Sequence, residues 1–205
     1  MKKETTKEQI VAGAKVLFHR FGFEKTSMED IANHVHKAKR SLYNHFTNKE
    51  ELFAEAVSVE LMQIREKLFE IFEDSSKSVL ERLRDYLQSR AELMSKATTY
   101  HQLLRRTLDN QDRRFAEARG AEEAFDRWEH ALFERVWKAK PCAPDETISE
   151  SDTAAFADML QMALRGLNYT FFVQDNYERY KNNYNFLIDL IINSIRYNSV
   201  QLIKK

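Results

Sequence analysis

Residues 26–52, TSMEDIANHVHKAKRSLYNHFTNKEEL, decide how this chain folds. Thr26 with Glu29, and Ser27 with Asp30, each set a hydroxyl three residues before a carboxylate, the capping box that satisfies open N–H groups at a helix start. The helix so opened carries Met28, Ile31, Ala32 and Val35 at i, i+3, i+4 and i+7, which is one apolar stripe. A short connection from Val35 to Ala38 leads to a third helix, expected over about Ala38 to Phe46, with Ala38, Leu42 and Phe46 turned inward. Thr47 and Glu50 form another box, opening a long helix through Leu52, Phe53, Ala56, Val57, Leu61, Ile64, Leu68 and Phe72.

Upstream of this stretch, Ile10, Ala14, Leu17, Phe18 and Phe21 lay a stripe along a first helix, and Gly22 stops it, the usual role of a glycine with positive φ. Downstream, amphipathic segments run from about Val79 to Ala97 and from Tyr100 to Lys138, with a break expected near Gly120. Pro141 to Ser151 reads as the clearest loop, and Asp152 to Gln174 and Tyr180 to Tyr197 as the most apolar helices. With four Gly and two Pro in 205 residues, strands and tight turns lack their usual punctuation, so the fold class is all-α.

Three short helices, two of them joined by a tight connection, followed by Lys37, Lys39, Arg40, Ser41, Tyr43, Asn44, His45 and Lys49, spell a helix-turn-helix. The chain carries 32 Lys plus Arg against 32 Asp plus Glu, yet between Ile31 and Lys49 there are four Lys or Arg and no acid. Positive charge is concentrated where a recognition helix would enter a major groove. Thr26 and Ser27 can offer hydroxyls and N–H groups to a phosphate. Lys49 sits in a first helical turn, where the helix dipole disfavours a cation, and an incoming phosphate would account for it. Tyr43 and His45 have polar tips suited to phosphate oxygens, while Lys39, Arg40, Ser41 and Asn44 have the chemistry of base-edge readers, Arg40 for guanine and Asn44 for adenine.

Ala14, Leu17, Phe18, Gly22, Thr26-Ser27, Asp30-Ile31-Ala32, Leu42-Tyr43, His45-Phe46 and Lys49-Glu50-Glu51-Leu52 stand in an order and spacing that resembles the tetracycline-repressor (TetR) family over about the first 55 residues. The stretch Ala163-Leu164-Arg165-Gly166-Leu167 is similar to a small-residue feature of that family's penultimate helix. The resemblance implies a helix-turn-helix domain, residues 1–50, and a helical domain for effector binding and dimerisation, residues 51–205. It further implies a homodimer on a palindromic double-stranded DNA operator, acting as a repressor released by a small molecule. His36 stands where the family usually has a turn glycine, and histidine tolerates a left-handed backbone better than most residues. Lys37-Ala38-Lys39-Arg40 replaces the family's small and polar run, so the operator sequence does not carry over from relatives.

In the body, aromatic and methionine side chains recur at helical spacing, and most belong to the core. Phe69, Tyr86, Met94, Phe125, Trp128, Met159, Met162 and Tyr169, with His101 and Arg105 at the mouth, are the candidates to line an effector cavity. The last helix is apolar over more than one face and needs two neighbours. A dimer seam is therefore expected from Phe156, Leu160, Leu164, Leu167, Leu187, Ile188, Ile191, Ile192 and Ile195.

Other chemistry is poorly supplied. His34 and His36 form an H-x-H whose side chains leave a helix end on different sides, and no histidine has a glutamate three residues before it, so neither a metal nor another cofactor is expected. No paired carboxylates or nucleophile–base spacing stands out, which leaves a small helical enzyme as a remote alternative. A regulator controlled by a protein partner, or by nothing, is the nearer one. The lone Cys142, a charged N-terminus without an apolar run and the lack of a span of ~18 or more apolar residues point to the cytoplasm and away from membranes.

Overall fold

A computed structural model describes residues 5–107, 113–140 and 149–197, and every described element is helical. In order these are α1 (Thr6–Phe21), α2 (Met28–His34), α3 (Lys39–Tyr43), α4 (Lys49–Phe72), α5 (Val79–Ser95), α6 (Thr98–Thr107), a 3-10 turn (Arg113–Phe115), α7 (Ala116–Lys138), α8 (Glu150–Asn168), a π-helical turn (Tyr169–Val173) and α9 (Tyr177–Tyr197). The residues group into two compact units, Met1–Gln63 with Ala97–Ala124, and Ile64–Lys96 with Phe125–Lys205.

In the first unit, α1 ends at Gly22, whose φ of 82° and ψ of 163° belong to a region nearly restricted to glycine. Of the two boxes available at the next helix start, Ser27–Asp30 forms: the Ser27 hydroxyl accepts from Asp30 N–H at 3.1 Å, and Asp30 Oδ2 accepts from Ser27 N–H at 2.9 Å. The Ser27 hydroxyl also donates to Asp30 Oδ2 at 2.6 Å, and this bond, with the one from Ser27 N–H, holds the Asp30 carboxyl below its usual pKa. Thr26 instead turns inward, donating to Gly22 O at 2.8 Å. The chain turns at His36, whose φ of 53° is left-handed as expected. Gly13 lets that turn approach α1: a Cβ there would stand 2.2 Å from Val35 Cγ1.

α3 is shorter than expected and begins after an exposed Ala38 that caps it without a side-chain bond. At the start of α4 the cap is shifted by one residue. Asn48 Oδ1 accepts from Glu51 N–H at 2.8 Å, and Glu51 Oε2 accepts from Thr47 N–H at 2.5 Å. Around the end of α1, the rings of Phe18, Phe23, Phe53 and Phe115 cluster with neighbouring centroids 5.0–5.9 Å apart, edge to face except for the tilted Phe18–Phe23 pair.

α6 belongs to this unit and grips the same turn: Gln102 donates to Phe18 O at 2.7 Å and accepts from Phe23 N–H at 2.9 Å. Its own N-terminus is held by the buried Glu60 of α4, which accepts from Tyr100 N–H at 2.8 Å. The expected break near Gly120 does not occur: Gly120 sits inside α7 with open space around it.

In the second unit α5 packs on α9, burying Leu83, Leu87, Tyr184, Ile188, Ile192 and Ile195, and the Tyr184 hydroxyl donates to Leu87 O at 3.1 Å. Its centre is charged. Arg90, on α5, donates from Nε to Glu129 Oε1 at 2.5 Å and from NH1 to Asn168 Oδ1 at 3.1 Å, and the Tyr86 hydroxyl donates to the same Glu129 oxygen at 2.6 Å. Burial opposes the charge on Arg90, but Glu129 outweighs it, so the Arg90 pKa stands above its ordinary value. Burial also pushes the Tyr86 hydroxyl well above its usual range. Beyond Asn168 the helix loosens, with Gln174 N–H and Asn176 N–H bonded five residues back to Tyr169 O and Phe171 O.

The loop expected from Pro141 to Ser151 stops short, because Ser149 caps α8 through Asp152 N–H at 3.0 Å. Cys142 and the rest of 141–148 lie outside the described residues. No described helix is long and apolar enough to cross a membrane, and among the described residues no His, Cys, Asp and Glu group could hold a metal ion.

Candidate nucleic-acid interface

Three segments meet at one cleft of about 440 Å³: the start of α2, the outer side of α3 and the start of α4. Thr26, Ser27, Lys39, Tyr43 and Lys49, five of the residues singled out from the sequence, line it. Lys25, Thr47 and Asn48 line it too and were not anticipated. Lys25 lies one residue outside the capping pattern, and Thr47 and Asn48 belong to the cap of α4.

The five differ in what they can offer. Tyr43 is 47% exposed with its ring at the surface, and Ser27 is exposed at the α2 cap. Thr26 is 2% exposed and its hydroxyl proton is spent on the backbone, so its part is to hold the α1–α2 turn. Lys49 Nζ donates to Phe23 O at 2.8 Å and lies 4.2 Å from the Phe23 ring centroid. An ammonium has three donors, so this bond leaves two for an anion in the cleft. Lys39 Nζ stands 3.3 Å from Glu29 Oε2.

Outside the cleft, α3 and its ends present Arg40, Asn44 and His45 exposed, with Ser41 and Lys37 half-buried. Leu42 and Phe46 point the other way, into the core, and fix which side of this short rod meets solvent. The surface left outward is cationic and rich in hydrogen-bonding groups.

The body candidates fall in both units. Tyr86, Phe125 and Trp128 come together, Trp128 lying 6.3 Å from Tyr86 and 5.4 Å from Phe125 by ring centroid. Met94 is buried in the same unit, while Phe69, Met159, Met162 and Tyr169 are exposed there. His101 and Arg105 belong to the other unit. Of the residues expected at a dimer seam, Leu160, Leu164, Ile188, Ile192 and Ile195 are buried within their own chain, and Phe156, Leu167, Leu187 and Ile191 are half-buried. The large apolar side chains that α8 and α9 leave outside are Met159, Met162, Phe186 and Leu190, between 51% and 65% exposed.

Residues 10–56 match the family model described as bacterial regulatory proteins, tetR family. The biofilm operon icaADBC HTH-type negative transcriptional regulator IcaR of Staphylococcus epidermidis is 39% identical over 51 residues, which is 25% of this chain and 28% of that protein. The uncharacterized HTH-type transcriptional regulator YhgD of Bacillus subtilis is 35% identical over 69 residues, 34% of this chain and 36% of that one. The matches thus span about a third or less of these relatives' own lengths.

The whole fold is shared more widely. A transcriptional regulator from Rhodococcus sp. RHA1 superposes with a TM-score of 0.70 at 15% identity, over 97% of this chain and 100% of that one. A TetR transcriptional regulator from Legionella pneumophila does so with 0.67 at 18% identity, over 93% and 99%. The segment that builds the cleft lies within residues 10–56, the segment that matches the model of the tetR family of bacterial regulatory proteins.

Proposed function

We propose that this chain is a DNA-binding transcriptional repressor that works as a cytoplasmic homodimer on a palindromic operator and is released by a small-molecule effector. The observation that carries the DNA reading is the outward face of α3, with Lys39, Arg40 and Asn44 exposed and the Ser27–Tyr43–Lys49 cleft beside it. Residues 1–50 act on DNA. Residues 51–205 dimerise and take up the effector. Repression is supported by the staphylococcal relative, a negative transcriptional regulator.

Dimerisation is supported by Met159, Met162, Phe186 and Leu190, apolar side chains that one chain alone leaves in water. Two copies would set their α3 helices in successive major grooves roughly 34–36 Å apart. An effector acts by favouring the spacing that fits DNA less well.

A gel-shift series with overlapping duplexes from the DNA upstream of the chain's own coding sequence tests this. One duplex should be retained against excess competitor, and Met162→Glu should abolish that retention by separating the protomers. If no duplex is retained at low salt, the reading is wrong.

A second reading, a regulator answering to a protein partner or to no signal, is favoured by the close packing around Tyr86 in the second unit. There Tyr86 is enclosed by Phe72, Trp128 and Phe133 and tied to Glu129. Native mass spectrometry of the purified dimer separates the two: a co-purified or added small molecule supports the effector reading.

A further inference from the structure

We infer that Glu29 is a specificity-determining residue: its carboxylate stands in for a DNA phosphate at Lys39 and lowers the affinity of the recognition surface for random sequence. The inference rests on the DNA-binding reading of α3.

Acids near the cleft mostly have structural duties. Glu24 holds Arg106 at 2.6 Å, Asp30 is bound in the Ser27 box, and Glu51 accepts from Thr47 N–H. Glu29 is different, since its partner is the groove-facing cation Lys39, at 3.3 Å. From Ile31 to Lys49 the chain has no acid of its own, so Glu29, reaching across from α2, is the carboxylate that neutralises this part of the surface. Both side chains are more than half exposed, 53% for Lys39 and 67% for Glu29. A pair so open to water contributes little to stability and gives way to a better anion. It also lines the same cleft as Ser27, Tyr43 and Lys49.

The consequence is a difference between random and specific DNA. Random sequence offers Lys39 one phosphate in exchange for Glu29, a near-even trade that leaves a carboxylate close to the phosphate backbone. An operator that seats α3 offers additional base-edge contacts to Arg40 and Asn44, and these carry the exchange.

The test measures affinity against salt concentration for poly(dI-dC) and for a duplex selected by the wild-type protein from a random pool. Glu29→Gln should steepen the poly(dI-dC) slope by about 0.9 and tighten binding roughly eightfold at ~0.1 M salt, one added phosphate contact. The selected duplex should gain less, so discrimination narrows. In a Lys39→Met background, Glu29→Gln should change little. A role confined to α2 stability would leave the salt slope unmoved, which overturns the inference, as does an equal gain with and without Lys39, the mark of general repulsion. In both cases the wild type still binds its selected duplex, so the DNA reading survives. A wild type that binds neither probe overturns both.

Discussion

Lys49 Nζ donates to the Phe23 carbonyl at 2.8 Å and stands over the same residue's ring at 4.2 Å, so the first residue of α4 clamps the turn that leads into α2. Gln102 binds Phe23 N–H from the other side. The unfavourable position of a cation in a first helical turn is thereby offset inside the fold, before any phosphate arrives.

Replacing Lys49 should accordingly do two things. Lys49→Met keeps the apolar stem but loses a charged hydrogen bond and a cation–π contact, and should lower stability by about 1–2 kcal/mol in urea unfolding. Because Lys49 lines the cleft and keeps two donors beyond the Phe23 bond, its loss should also reduce the salt slope of DNA binding by about one. A variant as stable as wild type would show that the clamp carries no energy.

Two glycines should respond in opposite directions to alanine. Gly13→Ala forces a methyl against Val35 Cγ1, 2.2 Å from the built Cβ, and should destabilise by about 1–3 kcal/mol. Gly120→Ala meets nothing within 4 Å in the interior of α7 and should stabilise by roughly 0.5–1 kcal/mol. Thermal unfolding of the two variants checks the signs, and a stabilised Gly13→Ala would contradict the close approach.

At the core of the second unit, Glu129→Leu leaves the Arg90 charge buried and uncompensated. The expected cost is about 3–5 kcal/mol, whereas Arg90→Met with Glu129→Leu should recover most of it. Denaturant unfolding of the single and double variants measures this, and additive losses would show that the two residues are not coupled.

Burial raises the Glu60 carboxyl above its ordinary value of 4.5, while the Tyr100 N–H and the Lys15 charge oppose that shift. A raised folded-state value means that the stabilising contribution is complete below the unfolded-state value and is lost as pH rises through the folded one. Glu60→Gln keeps an acceptor for Tyr100 N–H and has no charge to bury. Its melting temperature should gain on wild type as pH rises from about 4 to 7. Parallel curves for the two proteins would exclude a titrating Glu60.

Local signals were legible in the sequence where they depend on neighbours along the chain. The Ser27–Asp30 box, the stop at Gly22 and the left-handed His36 are of this kind. What spacing could not reveal were partners far apart in sequence: Phe23 for Lys49, Gln102 for the α1–α2 turn, Glu129 for Arg90. Hydrophobic pattern also cannot tell a chain's own core from a partner's. It selected Leu160, Leu164, Ile188 and Ile192, which are buried within their own chain, while Met159, Phe186 and Leu190 on the same two helices are exposed. Gly120 was read as a break because glycine is a poor helix former, yet packing on either side of it, through Ala118 and Phe125, carries α7 straight through.

The most direct test of the central claim is fluorescence anisotropy of the purified chain on its retained upstream duplex, titrated with salt, for wild type, Tyr43→Phe and Arg40→Ala. The expected result is a linear fall of log affinity with log salt, a loss across all sequences for Tyr43→Phe, and relaxed preference at one base position for Arg40→Ala. Equal, weak affinity for every duplex, unchanged by either substitution, would contradict the placement of α3 in DNA.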